Sequence, residues 1–268
     1  MEMIILDSLF IFRLTSSFII AGSWIAFATL WAEKLGSKIG GLISNLPSNI
    51  LISLIFIAII NGIPFTVESI PGIPIGMAIN SLFLFVFVIS LKYGIVISTV
   101  ISLTSWFLLA YIAASLSFED FVLNIVLYIF ITLSTFLFLE KIAKICSVNN
   151  TKKNYTVKQI ISRAVFAGSV VASVIILAQF LPPFAVGIFA TFPAVLLSTM
   201  IILVVNQSRE FAQATGKILI LSSSNIVIYG IGVYFTYPVL GIFMGTPLSF
   251  LLAALWVGLM RPLVRRLA

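Results

Sequence analysis

The sequence contains no histidine, a single cysteine and few charged residues. Across 268 residues only 9% are charged, whereas 61% are hydrophobic and 24 are phenylalanine. The lone Cys146 excludes an internal disulfide. The lack of histidine removes the commonest neutral metal ligand and the side chain that titrates near neutral pH. We therefore expect no metal site, no histidine proton relay and no cofactor.

What the sequence does contain is apolar runs, each long enough to cross a bilayer. A soluble domain could not carry so much apolar sequence without exposing large patches, and a membrane span needs about 20 apolar residues. We expect an all-α, multi-pass protein of the cell membrane with one transmembrane domain over residues 1–268. The nine predicted spans are 9–31, 39–60, 72–91, 94–115, 121–139, 160–181, 184–205, 218–236 and 238–260.

The basic residues favour one orientation of these spans. A net charge of +7 could indicate nucleic-acid binding, but the lysines and arginines lie mostly between the apolar runs. Because cytoplasmic loops collect lysine and arginine, an outside N-terminus and a cytoplasmic C-terminus place fourteen of the fifteen basic residues inside. The first run has no basic region before it and is predicted to be a retained span. The expected partners are membrane lipids and not nucleic acid.

A frame of glycine and proline occurs twice in the chain. Gly41 and Pro47, in the polar stretch 40–49, are followed 146 positions later by Gly187 and Pro193. The same offset aligns Gly22 with Gly168, and small slips align Asn80 with Asn225 and Gly94 with Gly241. We infer a first repeat over 9–115 and a second over 160–260. Chance similarity between short apolar helices is the alternative.

The segment between the repeats predicts their relative orientation. Residues 116–159 contain one span and a lysine-rich connector. Four spans return the chain to its starting side and the fifth crosses the membrane again, so the second repeat begins from the opposite face. Inverted repeats of this kind are common in secondary transporters, whose substrates bind near the midplane between the repeats. A duplicated bundle that merely packs is the alternative.

The two prolines indicate where a substrate would bind. Pro47 and Pro193 enter their spans from opposite faces to similar depth, and each is expected to break its helix and free backbone polar groups. The helix starting after each break would direct its positive dipole end inward, which suits an anionic group. Close packing of small residues is the alternative. The candidate substrate-binding residues are Gly41, Asn45, Pro47, Ser48, Asn49, Gly187, Thr191, Pro193, Asn80 and Asn225.

Arg13 is read as the one charge inside a span. It lies about four residues from the outer end of the first run. A long cationic side chain at this depth can reach the headgroups. The alternative is that Arg13 attracts anions at the outer mouth of a transport path.

The predicted function is a secondary transporter, or a flippase for a lipid intermediate, acting on a small polar molecule or ion that we expect to be anionic. The chain lacks a nucleotide-binding loop, paired aspartates and any acid–base histidine, so it is not expected to be an enzyme. A non-transporting membrane scaffold that binds other proteins is the alternative, and the sequence is compatible with a homo-oligomer. Substrate, coupling ion and direction of transport are left open.

Residues 184–194, FAVGIFATFPA, open the second span of a four-span unit. This segment resembles the corresponding region of the small GlpM-like membrane proteins, whose function is unassigned. Residues 41–47 resemble it more loosely, so the resemblance implies a fused pair of such units joined by one span. By architecture alone the chain is also similar to the drug/metabolite transporter superfamily, but the membrane-embedded glutamate of its small multidrug members is missing from the first span here.

Overall fold

The structure is a computed structural model that describes residues 8–34, 47–118, 120–145 and 156–267. All of the regular structure in these ranges is helical, because a backbone surrounded by lipid must satisfy its own polar groups. The α-helices are α1 (Ser8–Lys34), α2 (Ser48–Asn61), α3 (Ile63–Ser69), α4 (Gly72–Ser90), α5 (Ile95–Leu116), α6 (Phe121–Leu137), α7 (Val157–Leu177), α8 (Pro183–Ala190), α9 (Ala194–Asn206), α10 (Arg209–Ser222) and α11 (Asn225–Leu267).

Seven helical segments of the described residues are long and apolar enough to cross a membrane. They indicate a multi-pass membrane protein. A shorter apolar helix at Asn49–Asn61 covers part of the predicted second span, whose beginning lies outside the described residues. The seven segments are Ser8–Leu30, Gly72–Tyr93, Ile95–Leu116, Phe121–Ile142, Val157–Leu177, Pro183–Asn206 and Arg209–Met260. The count of nine spans, the inverted repeats and the orientation stay predictions.

Polar side chains fix the starts of three helices. Asp120 accepts a hydrogen bond from the N–H of Leu123 at the start of α6. Thr156 and Gln159 form a reciprocal capping box at the start of α7, with hydrogen bonds of 3.3 and 3.0 Å. Ser208 accepts from the N–H of Phe211 at the start of α10. These caps satisfy N–H groups that have no partner inside a helix.

The structure corrects the predicted boundary between the last two spans. Pro238 lies inside α11, and the chain turns instead at Gly241, whose φ is 66°. Hydrogen bonds between Thr236 and Ser249 and between Tyr237 and Thr246 join the two arms of the resulting hairpin. Glycine adopts a positive φ without the strain of a side chain, which is why the reversal falls there.

The eighth predicted span, 218–236, is not a single helix in the structure. The segment expected to be a cytoplasmic loop with Arg209 and Lys217 forms α10, and Lys217 is buried. α10 ends at Ser222, and α11 begins at Asn225. The buried lysine is paired with a carboxylate, as described below, and this pairing is what allows a cation to sit inside the bundle.

The two segments that open the predicted repeats, α1 and α7, cross at glycines in a reciprocal way. A Cβ on Gly22 would lie 2.9 Å from the backbone oxygen of Ala164, and a Cβ on Gly168 would lie 2.6 Å from that of Phe18. Gly168 and Ala164 each stand 146 positions after their counterparts Gly22 and Phe18. A two-fold relation between the two helices would produce such an exchange of partners, and the repeats themselves stay a prediction.

Helix α4 lies at the centre of the bundle. Within the described residues, 78% of the residues in the apolar part of α4 are buried, whereas 22% of those in α5 are buried. It packs against α5, α6, α8 and α10. Polar side chains on α4 therefore face protein rather than lipid, so they need partners inside the bundle.

Candidate functional site

Helices α2 and α9 run in opposite directions along α7. At the end of α2, Asn61 donates to the carbonyl of Ala178 at 3.1 Å and accepts from Gln179 at 3.2 Å, just beyond the end of α7. At the end of α9, Asn206 accepts from Gln159 at 3.1 Å, near the start of α7. With 14 and 13 residues, α2 and α9 are each about 20 Å long. Measured from the first residue of α7, a helix of about 32 Å, α2 therefore begins at about 12 Å and α9 at about 21 Å.

Both of these helices begin at the predicted prolines. Pro47 is the N-cap of α2, with φ −76° and ψ 58°, and Pro193 is the N-cap of α9, with φ −78° and ψ 41°. α8 ends at Ala190, so the predicted break at Pro193 is confirmed. Residues 35–46 lie outside the described residues, and they include the candidates Gly41 and Asn45. The first N–H groups of α2 and α9 are directed back toward the region where the two helices start.

Gly187 lies in a backbone-to-backbone contact between α8 and α4. A Cβ at Gly187 would overlap the carbonyl oxygen of Ser69, and a Cβ at Gly72 would overlap that of Phe184. One turn further along α4, Gly76 lies against Ile188 and Thr191. These contacts give Gly187 a packing role, which was the alternative considered for it from the sequence. Substrate contact by Gly187 stays a prediction.

Asn80 and Thr191 are brought together beside the break in the second half. The Asn80 amide nitrogen donates to the backbone carbonyl of Thr191 at 2.7 Å, and its oxygen accepts from the indole N–H of Trp106 at 2.7 Å. Asn80 is 2% exposed. The bond to Thr191 satisfies one of the carbonyls freed where α8 ends. Both the nitrogen and the oxygen of the Asn80 amide are thus engaged by protein groups. A role of Asn80 in substrate binding stays a prediction.

A similar indole hydrogen bond occurs in the second half. Trp256 donates to the hydroxyl of Ser224 at 2.9 Å, next to the start of α11. Asn225, the first residue of α11, is 1% exposed and is engaged in a contact. Each half therefore has a tryptophan on its last helix that donates to a polar residue of the preceding segment. Asn80 and Asn225 are both buried, and their correspondence in a repeat stays a prediction.

Two further candidates lie at the start of α2. Ser48 is the first residue of this helix, but its side chain lies outside the described part. The Oδ1 of Asn49 is buried, and no hydrogen-bond partner for it occurs among the described residues. A buried amide oxygen without a donor costs about 1–3 kcal/mol. Among the described candidates at this end, Asn49 is therefore the one with a buried polar atom that has no hydrogen-bond partner in the described part of the chain.

Arg163 was missed in the sequence analysis, where Arg13 was read as the one charge inside a span. It lies inside the predicted span 160–181 and inside α7, and it is 9% exposed. Its Nη1 donates to the hydroxyl of Thr199 on α9 at 3.2 Å. Arg13 is partly exposed on α1. The sequence does carry a signal for Arg163. It is an ionisable residue three positions inside a predicted span, and such residues are rare in membrane helices.

An ion pair joins a buried lysine to a partly exposed glutamate. Lys217 on α10 donates to Glu140 Oε2 at 2.7 Å and to the carbonyl of Ile145 at 2.7 Å. Glu140 belongs to the π-helical turn Phe138–Ile142 that follows α6. Lys217 is 2% exposed, whereas the Glu140 side chain is 37% exposed. The pair joins the linker helix to the second half. Within the described residues no cluster of acidic, histidine or cysteine side chains could hold a metal ion.

The fold and these contacts define an all-helical, multi-pass membrane protein with a polar centre where helices begin and end inside the bundle. Residues 160–227 match the model of a family described as a protein of unknown function, DUF3147. This match covers about a quarter of the chain and runs from α7 to the start of α11. It includes the segment 184–194 that resembles the GlpM-like proteins, a resemblance that stays a prediction. Comparisons with curated proteins and with solved structures give no match.

Proposed function

We propose that the chain is a secondary transporter for a small anionic solute, which binds between the starts of α2 and α9. The observation that carries this proposal is the pair of helices that begin at Pro47 and Pro193 beside the middle of α7 and run in opposite directions. Broken helices whose N-termini point at the substrate recur in secondary transporters. The N-terminal N–H groups and dipole of each helix favour negative charge.

Inverted repeats are part of this proposal. Three features support them: the reciprocal contacts of Gly22 and Gly168, the similar backbone angles of Pro47 and Pro193, and the positive φ of Gly94 and Gly241. Gly94 and Gly241 each precede the last helical segment of their half. An outside N-terminus, a cytoplasmic C-terminus and a place in the cell membrane complete the proposal.

A membrane scaffold is the second candidate, and one observation favours it. The contacts of Gly72, Gly76 and Gly187 hold α4 and α8 together by their backbones near the centre. Such packing suits a rigid bundle. The scaffold predicts that the protein moves no solute, and the transporter predicts exchange.

Solute counterflow into proteoliposomes tests the proposal. Vesicles holding purified protein are loaded with unlabelled phosphate, sulfate, succinate or lactate, and entry of the same labelled anion is followed. Counterflow requires only that a carrier bind its solute on both sides, so no ion gradient has to be imposed. We expect exchange of at least one anion, with slower exchange for Asn49→Ala. Ser115→Ala, on the exposed surface of α5, should exchange like the wild type.

Folded protein that exchanges none of these anions would contradict the proposal and favour the scaffold. Equal rates for Asn49→Ala and the wild type would remove the start of α2 from the binding site.

A further inference from the structure

Helix α4 is buried except for one apolar strip on its second half. The partly exposed residues recur on one face of the helix at three- and four-residue spacing, and they are Leu82, Phe85, Val86 and Ile89. Earlier on the same face, Ile75, Ala78 and Ile79 are buried. The bundle therefore covers this face in the first half of α4 and leaves it open to lipid from Leu82 onward.

Helices α5 and α6 lie on either side of this strip. The hydroxyls of Ser81 on α4 and Thr132 on α6 are 2.9 Å apart. Further along both helices, the ring centroids of Phe85 and Phe138 are 5.2 Å apart, so α4 and α6 run in parallel. α5 turns back at Gly94, whose φ is 99°, and packs along α4 in the opposite direction. Because α5 and α6 contact α4 far more than they contact each other, they form the walls of a groove whose floor is the strip.

Two exposed lysines, Lys92 and Lys141, lie at the end of the groove where α4 and α6 end. Each is the second-last residue of its apolar membrane span. They follow the hydroxyl contact of Ser81 and Thr132 along parallel helices, by about 16 and 13 Å. Both lysines therefore lie on the same side of the membrane, at the level of the lipid headgroups.

We propose that this groove binds one anionic phospholipid, with its phosphate group at Lys92 and Lys141 and an acyl chain along the strip. Basic residues at the membrane surface attract anionic lipids. The carboxylate beside Lys141, that of Glu140, is engaged by Lys217 at 2.7 Å. The Lys92 ammonium lies 4.8 Å from the centre of the exposed Tyr93 ring, and tyrosine favours the headgroup level. The inference does not depend on transport.

Native mass spectrometry counts the lipids that stay bound to the purified full-length protein. The protein in mild detergent is titrated with phosphatidylglycerol or with phosphatidylcholine of the same acyl chains. Phosphatidylcholine carries a cation beside its phosphate, so it gains less from the two lysines. We expect one phosphatidylglycerol to bind more tightly than phosphatidylcholine. Glycerol phosphate, which lacks the acyl chains, should not displace it.

The lysine variants test the headgroup end of the groove. Lys92→Gln and Lys141→Gln should each weaken phosphatidylglycerol binding about fivefold and leave phosphatidylcholine binding unchanged. Lys158→Gln is the matched control, because it removes another exposed lysine at the start of α7, which packs against α1, α2 and α9. It should bind phosphatidylglycerol like the wild type.

A tryptophan in the floor tests the groove itself. Val86→Trp keeps both lysines and fills the place of the acyl chain, so phosphatidylglycerol binding should weaken about fivefold or more. Val165→Trp makes the same change at a half-exposed position of α7 and should have no effect.

Any of four outcomes would overturn the inference: the two lipids bind equally, both groove lysine variants bind like the wild type, Lys158→Gln weakens binding as much as they do, or Val86→Trp binds like the wild type. Displacement by glycerol phosphate would also overturn it, because the site would then hold a soluble phosphate. If Val86→Trp does not fold, the lysine variants and the comparison of the two lipids decide.

Discussion

The first half of the molecule, from α1 to α5, and the second half, from α7 to α11, share a frame but differ in buried charge. Each half has a crossing glycine, a proline that starts a helix and a glycine at positive φ before its last helical segment. The buried cations Arg163 and Lys217 lie in the second half. At the positions 146 residues earlier, the first half has Ser17 and Pro71. The glycines and prolines that the halves share can place helix starts symmetrically. The buried cations that distinguish the halves come from the second one.

The largest expected effect concerns the closest contact between the halves. Gly187→Ala would place a methyl group against the backbone oxygen of Ser69, and backbone cannot move aside as a side-chain tip can. We expect the free energy of unfolding to fall by about 3 kcal/mol, measured by thermal or denaturant unfolding in detergent. Gly258→Ala in α11, where a Cβ meets nothing within 4 Å, should be neutral or slightly stabilising. A neutral Gly187→Ala would show that α4 and α8 can separate.

The next effect tests whether the polar centre depends on Asn80. Asn80→Leu would leave the carbonyl of Thr191 and the indole N–H of Trp106 without their present partner. Two buried groups left unpaired should lower the free energy of unfolding by about 2–4 kcal/mol, read from chemical denaturation.

Trp106→Phe is the matched control for Asn80, because it removes the indole donor and retains an aromatic ring. It should cost less than Asn80→Leu, and the double variant should cost less than the sum of the two. Strict additivity would contradict the hydrogen bond between them.

A third effect compares the two members of the ion pair between the buried Lys217 of the second half and Glu140, which follows α6. Glu140→Gln leaves the buried Lys217 without its carboxylate, whereas Lys217→Met removes the buried charge itself. We expect Glu140→Gln to lower the free energy of unfolding by about 2 kcal/mol and Lys217→Met to lower it by less, since an uncompensated buried cation is the costly state. The double variant should be more stable than Glu140→Gln alone, because it no longer buries an unpaired cation. A larger loss of unfolding free energy in Lys217→Met than in Glu140→Gln would contradict this prediction and show that the cation itself stabilises the bundle.

Much of the helical pattern was predictable from the sequence, because apolar runs of span length force helices in a membrane. The break at Pro193 followed from the missing N–H of proline. The reversal at Gly241 was placed too early, at Pro238, because a local pattern cannot tell a proline tolerated inside a helix from one that ends it. The burial of Lys217 could not be read locally, since its partner Glu140 is distant in the chain. The packing role of Gly187 depends likewise on Ser69 and Gly72, far away in sequence.

The smallest expected effect tests the two-fold relation between the halves directly. Gly22→Ala and Gly168→Ala each place a methyl group against a backbone oxygen of the other helix, at 2.9 and 2.6 Å. Overpacking costs about 1–3 kcal/mol, and the better helix propensity of alanine offsets up to about 1 kcal/mol. Each variant should therefore lose about 1 kcal/mol, and the two losses should agree within about 0.5 kcal/mol. The double variant should lose less than the sum, because one displacement of α1 from α7 relieves both contacts. A clear loss for one glycine and none for the other would mean that the crossing is not symmetric in energy, and the repeat would then be a likeness of sequence without a shared axis.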